Sequence, residues 1–200
     1  MLISPLDLRF CLDKACEMCD HYNDNVHHDG RPGKSVDQLL QICRQYLGKT
    51  IRVNYLNIHF QHNSINGMFL RVNDEYEIYL RREMESDWNR FVLCKELYHV
   101  ILDDEQYQNV SIYEHLEQAM VAFPSVEIKP GQPVVSEKMA EIAAMQFLFP
   151  YDERKGIKDN NAELNLDAIA KKYRIPERLV ELYLSDSYIA NIGAFMPKPL

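Results

Sequence analysis

The sequence predicts an α+β domain. Three observations carry this: two amphipathic helical stretches come first, three short alternating stretches follow, and from Ser86 onward the pattern is helical. A wound parallel sheet would instead alternate strand and helix along the whole chain. With 200 residues, 46% apolar and 26% charged, the chain is long enough for one well-formed core and too apolar for disorder.

The elements follow in order. Leu8, Leu12, Ala15, Cys16 and Cys19 share one helical face, with Asp13, Lys14, Glu17 and Asp20 opposite, which predicts a helix over 5–20. Cys16 and Cys19 are spaced as in a zinc site, but a structural site needs four ligands and no second pair follows, so core packing is the better account. Gly and Pro cluster in His27–Gly33, a loop and the chain's candidate hinge, separating an N-terminal helix and loop (1–34) from a main domain (35–200). A second helix starts at Ser35, which makes a capping box with Gln38, carries Val36, Leu39, Leu40, Cys43 and Leu47 on one face and stops at Gly48.

Strand signals come next. Ile51, Val53 and Tyr55 alternate with polar residues, as do Met68, Leu70 and Val72, and then Tyr76, Ile78 and Leu80. Asn73-Asp74 is turn chemistry between the last two, so they read as a hairpin within a small antiparallel sheet. Helices are expected over 87–102, 112–122, 137–149, 166–173 and 177–185, punctuated by Pro124, Pro130, Pro133, Pro150 and Pro176.

Charge and cysteines exclude several classes. A net charge of -8 makes the chain a poor wrapper of nucleic acid. No apolar run approaches the ~20 residues of a membrane span. Met1–Phe10 lacks the basic start and apolar run of a signal peptide, and five cysteines, an odd number, suit free thiols; the expected location is the cytoplasm.

The chemistry concentrates in Lys95-Glu96-Leu97-Tyr98-His99. Most of this helix is surrounded by apolar residues, and ionisable groups on a buried helix are costly unless they meet partners. The spacing is that of the HExxH helix of zinc peptidases, in which two histidines one turn apart bind Zn²⁺ and the glutamate polarises water. Here Lys95 stands in the first histidine position. Further on, Ser136 is a candidate N-cap, and Glu137 and Glu141 lie on one face with Ala140, Ala144 and Leu148. Like charges at i, i+4 repel mildly, which a facing cation would relieve.

On these residues the chain resembles the ImmA/IrrE metallopeptidases. Trp88-Asn89-Arg90-Phe91 through Lys95-Glu96-Leu97-Tyr98-His99 resembles the family's active-site helix. Glu137-Lys138-Met139-Ala140 through Ala144 to Phe147-Leu148-Phe149-Pro150 is similar to its second helix, and Leu166 to Val180 to a later helical segment. The likeness covers about residues 35–185. It implies a mostly helical, zincin-like domain that acts in regulation, often by cleaving a repressor protein in prophage, mobile-element or stress circuits. By position it makes Glu96 the general base, His99 a zinc ligand and Glu137 the acidic ligand, with Glu141 as its competitor.

Lys95 departs from the pattern and removes a ligand, since a catalytic zinc takes three protein ligands and a water. The expectation is therefore a metal-poor, catalytically impaired regulator that binds a protein partner such as a repressor, with the Lys95 ammonium paired to Glu96 or Glu137. A second reading keeps an active zinc endopeptidase and needs a replacement ligand from His59, His62 or His115. A third places DNA binding on 166–185, where Lys171, Lys172, Arg174 and Arg178 surround a helix pair of helix-turn-helix length. Its competitor is a helical hairpin packing Ile169, Tyr173, Leu179, Val180 and Leu182 on the core, favoured by the acidic net charge.

Overall fold

The first helix is set by Ser4, whose hydroxyl accepts the Asp7 backbone N–H at 3.2 Å. In the computed structural model, which describes residues 3–26, 33–57, 66–72, 75–102, 132–160 and 164–196, this helix is α1, Pro5–Asn25. It runs five residues beyond the expected end, because its buried stripe is Leu8, Cys11, Leu12, Ala15, Met18 and Tyr22 rather than one ending at Cys19. Helix α2 spans Val36–Leu47, capped by Ser35, and Gly48 closes it in the left-handed region at φ 61. The expected capping box has one direct arm, from Gln38 N–H to the Ser35 hydroxyl. Its other arm passes through α1: the Ser35 N–H donates to the Tyr22 hydroxyl at 2.7 Å, and that hydroxyl donates to Gln38 Oε1 at 2.9 Å.

Three strands follow: β1 Thr50–Leu56, β2 Gly67–Val72 and β3 Glu75–Arg81. The β2–β3 hairpin forms as expected, antiparallel, with Val72 opposite Glu75. The sheet as a whole is not antiparallel. Its order is β1-β3-β2, and β1 pairs parallel with β3, Ile51 opposite Tyr76 and Leu56 opposite Arg81. The reason is a skipped position. The chain leaves β1 and enters β2 at the same end of the sheet, on the far edge, so the returning β3 fills the centre alongside β1.

Tyr76, Ile78 and Leu80 of β3 are buried. Register puts Gly67 opposite Leu80 and Phe69 opposite Ile78, so Gly67 and Phe69, not Met68, Leu70 and Val72, share the core face of β2. Helix α3, Ser86–Ile101, lies on that face and is buried almost all round. Helix α4, Gln132–Leu148, crosses it and also packs on α1. It begins earlier than the expected residue 137, with Pro133 in its first turn.

Helices α5 (Tyr151–Asn160), α6 (Leu166–Tyr173), α7 (Glu177–Tyr183) and α8 (Asp186–Gly193) complete the chain. Neither α5 nor α8 was expected, and the helix expected over 112–122 lies outside the described residues. Tyr173, Leu179 and Val180 pack inward and Ile169 partly so, whereas Leu182 is exposed, on the outer side of α7. No helix among the described residues is long and apolar enough to cross a membrane.

Candidate functional site

The site begins with how α3 is pinned. Arg90, in its second turn, is buried, and its Nη1 donates to the Tyr173 and Arg174 carbonyls at 2.9 and 2.8 Å. Its Nη2 donates to the Lys34 carbonyl. A cation on the last carbonyls of α6 satisfies groups the helix end leaves open and meets the negative end of its dipole. Lys34 does the same for α4, donating to the Phe147 carbonyl at 3.1 Å.

One turn further along α3, Lys95, Glu96 and His99 emerge toward β2 and α4. Glu96 is 1% exposed and His99 3% exposed. Gly67 lets β2 come this close: a Cβ there would lie 2.5 Å from Val92 Cγ1 and 2.9 Å from Glu96 Oε1. Phe69 stacks on the His99 ring, centroids 5.3 Å apart at 17°. From α4, the Ser136 hydroxyl is 3.4 Å from His99 Nδ1 and Glu137 Oε1 is 3.0 Å from His99 Nε2. Ser136 is therefore not a helix cap. The earlier start of α4 leaves its hydroxyl free to face the imidazole.

Lys95 occupies the middle. Its Nζ donates to Glu137 Oε2 at 2.6 Å and lies 3.2 Å from Glu96 Oε1. Its side chain is only 17% exposed, so it does not reach out to solvent. Burial alone would lower the ammonium's pKa, but the Glu96 and Glu137 carboxylates outweigh it and push the value well up. Burial alone would raise Glu137, but contact with His99 and the Lys95 charge outweigh it and hold that carboxyl well below the usual range. Glu137 is half exposed, so solvent screens its share of the pairing. Two buried atoms in the cluster, Glu96 Oε1 and His99 Nε2, sit at ion-pair distance from their neighbours without the alignment of a hydrogen bond.

Lys95, Glu96, His99 and Glu137 thus converge. Glu141 does not join them. Its Oε1 takes the Lys138 ammonium at 2.6 Å and the Tyr183 hydroxyl at 2.8 Å, one turn along α4. His59, His62 and His115 lie outside the described residues. Among the described residues, no group of three or more His, Cys, Asp or Glu side chains could hold a metal ion. Cys16 and Cys19 are half-buried free thiols, Cys19 Sγ 3.7 Å from Lys34 Nζ, and burial pushes Cys16 up to about 11. On α6 the basic side chains have acidic company: Lys171 pairs with Asp167 at 2.6 Å and Lys172 with Glu153 at 3.9 Å.

Phe69, Gly67 and Ser136 belong to the site in ways the sequence reading missed. A glycine inside a strand pattern was the available signal for close backbone approach. No protein-family model matches the chain, and no curated protein matches it.

Proposed function

We propose that this chain is a regulatory protein of the ImmA/IrrE metallopeptidase kind, built on a zincin-like domain whose peptidase site carries an internal cation in place of its metal. It is metal-poor and catalytically impaired, and acts by binding a protein partner such as a repressor. The observation that carries this reading is the Lys95 ammonium held between Glu96 and Glu137 beside His99.

The donor set argues against a catalytic zinc. His99 and Glu137 supply two ligands where three are usual, and the first-histidine position holds an ammonium whose proton the carboxylates retain. An ammonium matches a cation's charge and neutralises the carboxylates. It offers no vacant orbital to polarise a carbonyl and no bound water to activate, so peptide hydrolysis by that route has no agent. Glu96, which would be the general base, is committed to Lys95. What is left is a charged, positioned cluster that meets solvent at Glu137, and binding without cleavage is the function it can serve.

Elemental analysis of protein purified without chelators tests this reading. We expect far less than one zinc per chain, and a gain in zinc on Lys95→His, which restores the i, i+4 histidine pair beside an acidic ligand. Stoichiometric zinc in the unmodified protein overturns it.

A further inference from the structure

Among the described residues, a second buried charge with open donors lies away from this site. Arg154 on α5 is 1% exposed. Its Nη2 donates to Gln146 Oε1 at 2.8 Å, while Nε and Nη1 are buried with no hydrogen-bond partner among the described residues. The Tyr183 and Tyr151 rings lie 5.5 and 6.0 Å from the guanidinium carbon, and such faces offset part of a buried cation's cost. Gly193 permits this closeness, since a Cβ there would meet the Tyr151 hydroxyl at 2.3 Å.

Gln146 is the one acceptor that Arg154 reaches among the described residues. Gln146 Oε1 already takes the Tyr151 N–H at 3.1 Å as well as Arg154. Glu141, the carboxylate of α4 on this side, accepts from Lys138 and Tyr183 through its Oε1. The Tyr188 ring lies 4.2 Å from that of Tyr183 and closes the same side of the pocket of tyrosines. A full positive charge with two open N–H donors, and no carboxylate at ion-pair distance among the described residues, forms an environment that calls for an anion.

We propose that Arg154 holds a small monovalent inorganic anion of the chloride class within the packing of α4, α5 and α7. Such an ion brings negative charge and acceptor capacity together and carries no donor that would need satisfying. A water would bring the acceptor without the charge. A carboxylate side chain of a partner would need a path for its chain, and Arg154 sits beneath the tyrosines. Burial pushes the guanidinium down to about 10, so it stays charged at neutral pH and the demand for a counter-ion persists.

Bromide is the probe. Crystals of the unmodified protein grown in sodium bromide should show an anomalous peak within about 3.5 Å of Arg154 Nε or Nη1, the reach of a halide hydrogen bond. In solution the melting temperature should rise when chloride replaces gluconate at fixed ionic strength, by roughly 3 °C per tenfold chloride once the site begins to fill. Arg154→Met, which keeps the packed stem, should abolish that difference. A peak-free site, or density there without anomalous signal, overturns the proposal. So does a melting temperature indifferent to the exchange, or an Arg154→Met variant that responds as the parent does.

Discussion

Replacing Lys95 by methionine keeps the aliphatic stem and deletes the charge. Two carboxylates then lose their partner, and they lose it unequally. Glu137 is half exposed, and its pairing is screened, on the order of 0.5–1 kcal/mol. The Glu96 side chain is 2% exposed, with Oε1 at 3.2 Å from the ammonium. At an effective dielectric of about 20, that separation gives a gross attraction of about 5 kcal/mol, part of which offsets the cost of desolvating both ions. Leaving Glu96 buried and unpaired should therefore cost about 3 kcal/mol net, near the lower end for a broken buried pair. With an m-value of about 3 kcal/mol/M, the urea midpoint should fall by about 1 M at unchanged slope. Adding Glu96→Gln to Lys95→Met should recover most of the loss, because the orphaned charge goes with it, whereas Glu141→Gln should recover none. An unchanged midpoint in Lys95→Met, or equal rescue by Glu141→Gln, would refute the assignment of Lys95 as the cluster's cation.

Three further outcomes follow from the geometry. Gly67→Ala should destabilise by about 1–3 kcal/mol, the usual cost of overpacking, because the new methyl meets Val92 and the Glu96 carboxylate; a denaturant titration reads it. Arg90→Met should cost about 2–4 kcal/mol by the same assay, since three carbonyls lose a charged donor in one change. The pH dependence has a definite sign. Glu137 is depressed, so its contribution is complete above its unfolded value of about 4.3 and fades as pH falls through the native one. Lys95 is raised, so its contribution is complete below about 10.4 and fades only at higher pH. The stability gap between the parent and Glu137→Gln should thus be flat from about pH 5 to 9 and close below about pH 4, at an amplitude tempered by solvent.

What the sequence disclosed depended on how each element buries its side chains. Helix α6 has the bounds its apolar spacing predicts, and α2 starts at Ser35 and ends at Gly48 for reasons of local chemistry. Helix α5 was illegible because it has no apolar stripe; Arg154 is its one buried residue. Period-2 alternation said that strands exist but not which face turns inward. On β2 both candidate faces hold apolar residues, and only pairing to β3 decides for Gly67 and Phe69. Strand neighbours were beyond reach for the same reason, since alternation carries no information about order in the sheet. At the site, the grouping of Lys95, Glu96 and His99 is local helix geometry. The arrival of Glu137 depends on how α4 crosses α3, and so does the separation of Glu141, which sits one turn too far along.

The sheet order has a consequence for how the chain acquires its structure. Strands β1 and β2 never touch; each is joined to the sheet through β3. During synthesis, everything through Val72 can exist without a single sheet hydrogen bond available to β1, whose partner begins at Glu75. The hairpin, in which Val72 pairs with Glu75, is the local step, and β1 must then find the exposed edge of β3 by closing a loop of about twenty residues. A ribosome-bound or truncated chain ending before β3 would carry a dangling β1 edge. Pulse-labelling hydrogen exchange should accordingly find the amides of the β2–β3 ladder protected before those of Ile51 and Val53.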